Sequence, residues 1–355
     1  MTTARDFLKG NEAIAYGALR TGLNAFFGYP ITPSSEIPET LAAEFGNPKY
    51  PAFKVFLQAA SELEAINMVM GAAATGAKAM AATSGPGFSL KQEGISFASG
   101  MEIPMVIVDV NRGGPGLGNL GPEQTDYFQA TKGGGHGGYR NIVLAPSSVP
   151  EMAAFPALAF SLAFKHRTPV IILTDAFLGQ LKEDLMFPEV PAPEFDTSWA
   201  TTGARGPDRH ILSSMHLDLP ELSRHSEHLR AKFQEVDRSE QRSEKFQTED
   251  ADVVLVAFGI CARLCQRAVA TLREKGVRAG LLRPITLSPF PTGEFTAFVD
   301  RGVQKFVVVE LNTGQMLQDV QLAINGRAQI GSVQRVGGLL PSPSEIVREV
   351  EVMLR

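Results

Sequence analysis

Residues 61–112 read SELEAINMVMGAAATGAKAMAATSGPGFSLKQEGISFASGMEIPMVIVDVNR. Two runs within it, AMAATS and PMVIVDV, are short and apolar along almost their whole length. The segments before them, Ser61 to Ala77 and Phe88 to Gly100, carry apolar residues at helical spacing. A strand that is apolar on both faces must be covered on both faces, and helices alternating with such strands supply the cover. The stretch therefore predicts a parallel sheet between two helical layers.

The alternation extends in both directions. Upstream come a helix from Asn11 to Leu23 ending near Gly22, the buried strand AFFGYP, a helix from Ser34 to Phe45 and the strand FKVFLQ. Downstream come a glycine-rich stretch containing a short helix, the strand NIVLAP, a helix from Val149 to His166 and the strand PVIILTD. Residues 1–185 thus read as a doubly wound α/β domain. Beyond Asp184 the pattern changes. Met186 to Gly206 carries Pro188, Pro191 and Pro193 and reads as an extended linker. Leu217 to Asp250 holds 15 charged residues of mixed sign among 34, with Leu229, Phe233 and Val236 at helical spacing, which predicts a solvated amphipathic helix on the surface. Residues 186–250 form this linker region. From ADVVLVAFG onward a second, smaller α/β domain, 251–355, is expected: a helix from Cys261 to Lys275, strand VRAGLLR, a proline-rich turn from Arg283 to Pro291, strand KFVVVE, a helix from Gln315 to Ile324 and a last strand near Gly331.

A length of 355 residues fits two domains, and 44% hydrophobic with 20% charged residues fits an ordinary globular protein. A net charge of -5 disfavours a nucleic-acid coat and a polybasic membrane anchor. The longest apolar stretch, Met152 to Phe164, is interrupted by Pro156 and falls short of the roughly 20 residues that span a bilayer. The start, MTTARDFLKG, lacks the apolar core of a signal peptide, so a cytoplasmic location is expected, with no nucleic-acid or membrane partner.

The two cysteines, Cys261 and Cys265, cannot by themselves ligate a four-thiolate iron–sulfur cluster or zinc site, and they read as small buried residues on a helix. Ten of the 26 residues from Gly113 to Gly138 are glycine, in the clusters GGPGLGNLG and KGGGHGG. Backbone this open after a strand end lies where α/β sheets bind ligands. Gly116, Gly118 and Gly121 form a literal G-x-G-x-x-G. It is a poor dinucleotide fingerprint, because Arg112, Gly113 and Gly114 intervene after the strand, Pro122 follows, and no acidic residue ends a strand about 20 residues on. Phosphate-loop, zinc-peptidase and serine-hydrolase motifs are absent. His136, in the second cluster, reads more readily as a loop residue bonded to backbone than as a general base. Glu62 opens an almost wholly apolar helix. It either complements the helix dipole, as Glu64 could, or is a carboxylate in an apolar crevice, where desolvation suits it to proton exchange.

Residues 10–39 (GNEAIAYGALRTGLNAFFGYPITPSSEIPE), 58–119 (from QAASELEAINM to NRGGPGLGN) and 126–152 (DYFQATKGGGHGGYRNIVLAPSSVPEM) closely resemble the alpha subunit of 2-oxoacid:ferredoxin oxidoreductases. LLRPITLSPFP (281–291) and VVVELNTGQM (307–316) are similar to that family's second domain. The resemblance implies a pyrimidine-type thiamine diphosphate-binding domain followed by a transketolase-C-terminal-like domain. The implied activity is oxidative decarboxylation of a 2-oxoacid, with acyl transfer to coenzyme A and electrons passed singly to ferredoxin. It places Glu62 against N1′ of the aminopyrimidine, where the carboxyl drives the imino tautomer that takes the C2 proton. Tyr29, Pro30, Ile31, Gly85 and Pro86 fall on the cofactor-binding motifs. Thr32 and Arg112 fall on the substrate residues, the guanidinium suiting a 2-oxoacid carboxylate.

Thiamine enzymes that work alone carry a G-D-G motif for the magnesium diphosphate, and this chain has no Gly-Asp pair. The resemblance therefore implies a beta subunit that supplies the diphosphate half of the site, Mg2+ and an iron–sulfur cluster, with gamma and ferredoxin-like delta chains as further partners. The forms GGPGLGN and KGGGHGGYR look most like the branched-chain, 3-methyl-2-oxobutanoate type, with 2-oxoglutarate enzymes as close relatives. An apolar pocket separates such substrates by only about 1 to 3 kcal/mol per methylene. Two other readings stand beside this one: a scaffold subunit that has lost chemistry, against which Glu62, Thr32 and Arg112 all argue, and a self-sufficient thiamine lyase or decarboxylase, which the missing G-D-G disfavours.

Overall fold

The chain, a computed structural model, is described over residues 6–187, 194–203 and 209–355. The prolines at 188, 191 and 193 of the expected linker lie outside the described residues, as do residues 1–5 of the N-terminal segment.

In chain order the first half comprises Asp6–Lys9 (β1), Gly10–Arg20 (α1), Ala25–Gly28 (β2), Glu36–Glu44 (α2), Val55–Gln58 (β3), Glu62–Ala74 (α3), Ala79–Thr83 (β4), Pro86–Gly100 (α4), Val106–Asn111 (β5), Tyr127–Thr131 (α5), Ile142–Leu144 (β6), Val149–His166 (α6), Val170–Asp175 (β7), Ala176–Gln180 (α7) and Lys182–Leu185 (β8). The rest comprises Leu219–Ser239 (α8), Ser243–Phe246 (β9), Val253–Ala257 (β10), Gly259–Glu274 (α9), Ala279–Pro284 (β11), Thr286–Ser288 (β12), Thr292–Asp300 (α10), Lys305–Glu310 (β13), Gln315–Ile324 (α11), Gln329–Gln334 (β14) and Pro343–Leu354 (α12).

The larger sheet has the order β12-β6-β7-β5-β4-β2-β3, and all its pairings are parallel except β12 with β6. Its central strand shows why the apolar runs are continuous. Val106, Val108 and Val110 pack with α1, α2 and α6 on one side, while Ile107 packs with Ile66 and Val69 of α3 and Phe88 and Ile95 of α4 on the other. Each such buried aliphatic side chain contributes roughly 1.5 to 3 kcal/mol. The connections leaving the neighbouring strands β2 and β4 run in opposite directions, to β3 and to β5, and such a switch point at the carboxyl ends of the strands is where open α/β sheets bind ligands. The second sheet, β14-β13-β10-β11-β9, is parallel apart from its edge strand β9 and lies between α9 and α12 on one face and α10 and α11 on the other. The expected fold class, a doubly wound sheet with a smaller α/β partner, is borne out.

Three local features depart from the sequence pattern. Asp6–Lys9 pairs with Lys182–Leu185 in an antiparallel ribbon of its own. Ser243–Phe246, inside the span expected to be linker, adds a strand to the second sheet. The stretch read as a proline-rich turn contains β12, which crosses back to the edge of the first sheet beside β6. Helix α8 lies on the surface as its mixed charges imply, with Phe233 and Val236 buried beneath it. Cys261 and Cys265 are fully buried in α9, where burial pushes both thiols up, and they pack as small core residues.

Candidate active site

The carboxyl ends of β2, β3, β4 and β5 lie side by side, and the loops leaving them carry the residues singled out by sequence. Ser61 caps α3 by accepting from the Glu64 amide at 3.2 Å, and Glu64 bonds the Ala60 amide at 2.9 Å. With the cap thus occupied by its neighbours, Glu62 is free to turn inward, and it is 3% exposed. Its Oε1 accepts from the Thr83 hydroxyl at the end of β4 at 2.7 Å, and its Oε2 lies against the ammonium of Lys91 on α4. Gly87, in the first turn of α4, stands so close that a Cβ there would collide with both Thr83 Oγ1 and Glu62 Oε1. Glu62 Oε2 is buried and has no aligned hydrogen-bond donor.

Gly85 precedes α4 with φ at 45°, a backbone conformation that favours glycine, and Pro86 occupies the first helical turn. A side chain at Gly85 would stand 3.5 Å from Arg112 Cγ and 3.6 Å from its Nε. Arg112 follows β5 and reaches across to the loop after β2, where its Nη1 donates to the Thr32 carbonyl at 2.7 Å; Nη2 donates to the Leu117 carbonyl at 3.3 Å. Its Nε is buried without a partner. The structure therefore brings Arg112, Thr32 and Gly85 together. The Gly85–Gly87 turn separates them from Glu62. Tyr29 and Pro30 are exposed at the rim, with Ile31 half-buried beside them.

Behind this turn lies a buried acidic pair. Burial, and then neighbouring Asp126, push the Asp109 carboxyl well above its usual range; burial pushes Asp126 up to about 6. The glycine loop after Arg112 is folded tightly, with Gly113 N bonded to Gly121 O at 3.0 Å and Asn119 N to Gly113 O at 3.0 Å. Glu123 ties it to the second domain, accepting from the Gly114 amide at 3.2 Å and from the Gly337 amide. The loop tip presents Leu117 and Leu120 to the exterior, at 80% and 58% exposure. His136 sits exposed in the other glycine cluster. Among the described residues no group of three or more His, Cys, Asp or Glu side chains is placed to hold a metal ion. No described helix is long and apolar enough to cross a membrane.

Sequence reasoning missed Thr83, Gly87, Lys91 and Glu123. Of these only Lys91 left a usable trace. Counting helical turns from Gly87 and Phe88 to Gly94 and Ile95 places it in the middle of the buried face of α4.

A family described as "Pyruvate flavodoxin/ferredoxin oxidoreductase, thiamine diP-bdg" matches residues 16–251, and "Pyruvate:ferredoxin oxidoreductase core domain II" matches residues 251–346. The chain belongs to the 2-oxoacid:ferredoxin oxidoreductase family. Among the relatives of this oxidoreductase chain is the ketoisovalerate oxidoreductase subunit VorB of Methanothermobacter marburgensis, 49% identical over 349 residues, covering 98% of this chain and 97% of the relative. The 2-oxoglutarate synthase subunit KorA of Archaeoglobus fulgidus is 38% identical over 351 residues, covering 98% of each. Among solved structures, the 2-oxoglutarate:ferredoxin oxidoreductase of Magnetococcus marinus, with 2-oxoglutarate, coenzyme A and succinyl-CoA bound, superposes with a TM-score of 0.87 at 27% identity. That match covers 99% of this chain, which spans 65% of the solved one. The family, the thiamine diphosphate-binding domain and the oxidoreductase class expected from sequence are borne out. The named relatives VorB and KorA are subunits, so partner chains are expected.

Proposed function

We propose that the chain is the catalytic alpha subunit of a 2-oxoacid:ferredoxin oxidoreductase acting on a branched-chain 2-oxoacid such as 3-methyl-2-oxobutanoate. The overall conversion takes the 2-oxoacid, coenzyme A and two oxidised ferredoxins to acyl-CoA, CO2, two reduced ferredoxins and a proton. The observation that carries this reading is Glu62: an acid buried at the carboxyl edge of the sheet, with the Thr83 hydroxyl on one oxygen and the Lys91 ammonium against the other.

Thiamine diphosphate, when bound, supplies the nucleophilic carbon and the electron sink for decarboxylation. This chain's residues bind and orient around it. Glu62 holds and exchanges a proton at N1′, with Thr83 fixing the carboxyl plane. Gly85, Pro86 and the Tyr29–Ile31 segment form the walls that exclude water from that proton. Arg112 holds the substrate carboxylate through Nε and whichever Nη the substrate draws away from the backbone, and the Thr32 hydroxyl lies at the rim beside it. A beta subunit supplies the diphosphate and Mg2+ half and an iron–sulfur cluster, with gamma and ferredoxin-like delta chains completing the assembly in the cytoplasm. The exposed Leu117 and Leu120 suit burial against such a partner.

The VorB relative supports the branched-chain substrate; the KorA relative and the solved structure favour 2-oxoglutarate as the second reading. Assaying the purified complex with a panel of 2-oxoacids, coenzyme A and a viologen dye tests both. A higher kcat/KM for 3-methyl-2-oxobutanoate is expected. Preference for 2-oxoglutarate would transfer the assignment, and no turnover of any 2-oxoacid would overturn it.

A further inference from the structure

Helices α3 and α4 pack against each other, and two glycines of α4 lie at the contact. A Cβ on Gly87 would strike the Glu62 carboxyl, and one on Gly94 would strike Ile66 one turn further along α3. Lys91 lies between these glycines on the same stripe of α4, so its stem runs in the slot they create. It has no exposed surface. Its ammonium lies against Glu62 Oε2 and 3.4 Å from the Glu62 backbone carbonyl, so both of its protein contacts belong to one residue.

A lysine in this position is expensive. Fully burying an ammonium costs several kcal/mol that one ion pair rarely returns, and an aliphatic side chain of similar length would fill the slot more cheaply. Stability therefore does not account for the charge. The chemistry at Glu62 does: an acid that must give and regain a proton in a dry site requires its ionised form to be accessible, and apolar surroundings alone suppress that form.

We propose that Lys91 is a positioning residue for Glu62, its ammonium holding Oε2 in place and keeping the ionised carboxylate accessible for proton exchange with the cofactor ring. This rests on the reading of Glu62 as the residue that exchanges that proton. The other groups around the pair are accounted for. Thr83 on β4 contributes a neutral hydroxyl. Asp109 on β5, with Asp126 behind it, carries a carboxyl that burial and then its neighbour push well above the usual carboxylate range. Glu64 on α3 itself is turned to the Ala60 amide. Burial pulls the Lys91 ammonium below its ordinary range while Glu62 opposes the shift, as expected of a pair that shares its charge in a dry slot.

The test uses two measurements. In the full chain without cofactor, infrared difference spectra against Glu62→Gln with 13C-labelled glutamate isolate the Glu62 band. The parent is expected to show a carboxylate band at pH 6.5, and Lys91→Met a carboxylic acid band in its place. In the assembled, cofactor-loaded complex, Lys91→Met is expected to move the acid limb of the pH profile for C2 deuterium exchange upward by about one pH unit or more, a roughly tenfold loss at acidic pH. In a Glu62→Gln background, adding Lys91→Met is expected to lower exchange less than twofold further. Should the methionine chain fail to fold, Lys91→Gln carries the same measurements. An unmoved acid limb with an unchanged carboxylate band would overturn the role of Lys91 while leaving that of Glu62 intact. Undiminished exchange in Glu62→Gln alone would instead overturn the reading of Glu62 on which it rests.

Discussion

Asp175, the last residue of β7, accepts from the Ile260 amide at 3.1 Å, joining the first sheet to the opening turn of α9 in the second domain. Its other oxygen caps α7 through the Leu178 amide at 2.9 Å. Burial pushes this carboxyl up to about 6, against the amides that lower it. The folded chain therefore holds the proton more tightly than the unfolded chain, where an aspartate releases it near pH ~4. Its contribution to stability is complete below that value and is lost as the pH rises through about 6. Asp175→Asn is neutral at every pH. Its melting temperature relative to the parent should move in the variant's favour between pH 4.5 and 7.5, by the equivalent of about 2 kcal/mol. Scanning calorimetry at the two pH values checks this, and a shift in the opposite direction counts against it.

Glu62→Gln should leave the complex assembled and cofactor-loaded while lowering kcat and C2 proton exchange by on the order of 10² or more. A carboxylate that merely complements the helix dipole would instead lose about 0.3 to 1 kcal/mol of stability with chemistry intact. Deuterium exchange followed by NMR beside a thermal melt separates the outcomes.

Gly87→Ala should act on the same group by crowding. The added methyl meets Thr83 Oγ1 and Glu62 Oε1 and must displace one of them. A loss of about 1 to 3 kcal/mol is expected from the overpacking. Exchange should fall more than tenfold, because the carboxyl is moved. A stable variant with parental exchange would show that the slot can widen without disturbing Glu62.

Arg112→Lys should raise the KM for the 2-oxoacid far more than that for coenzyme A. Lysine keeps the charge but loses the fork, and with it the bond to the Thr32 carbonyl that orients the loop. Steady-state kinetics in both substrates provide the measurement; equal effects on the two would make Arg112 a structural residue.

The isolated chain should be colourless and iron-free, since two buried thiols one helical turn apart cannot hold a four-cysteine cluster. Iron at cluster stoichiometry in a preparation free of partner chains would contradict this.

The parallel sheets were legible because strands such as Val106–Asn111 and Val170–Asp175 are buried on both faces and are apolar along most of their length. The polar edge strands, KEDL at 182–185 and SEKF at 243–246, were not. They are held by main-chain pairing and carry no burial pattern to read. At the site, Glu62 was visible because it opens an obvious apolar helix, and Arg112 because the family resemblance falls on it. Thr83 was hidden as an ordinary residue at a strand end, and Lys91 because a single cation in a helix reads as solvated unless its turn position is counted. Glu123 acts between domains, a contact that no local spacing encodes.

Strand β12 makes the two halves topologically inseparable. The chain leaves the second sheet at Pro284, lends three residues to the free edge of β6 and then returns through α10. A fragment ending near residue 251, where the two family descriptions meet, would lose this strand and expose the main-chain groups of Ile142–Leu144. Bare edges of that kind recruit other chains. Dissecting the protein at the apparent seam would thus be expected to yield a sticky remnant in place of an autonomous module, and any swap of the second half between relatives has to carry its borrowed strand with it.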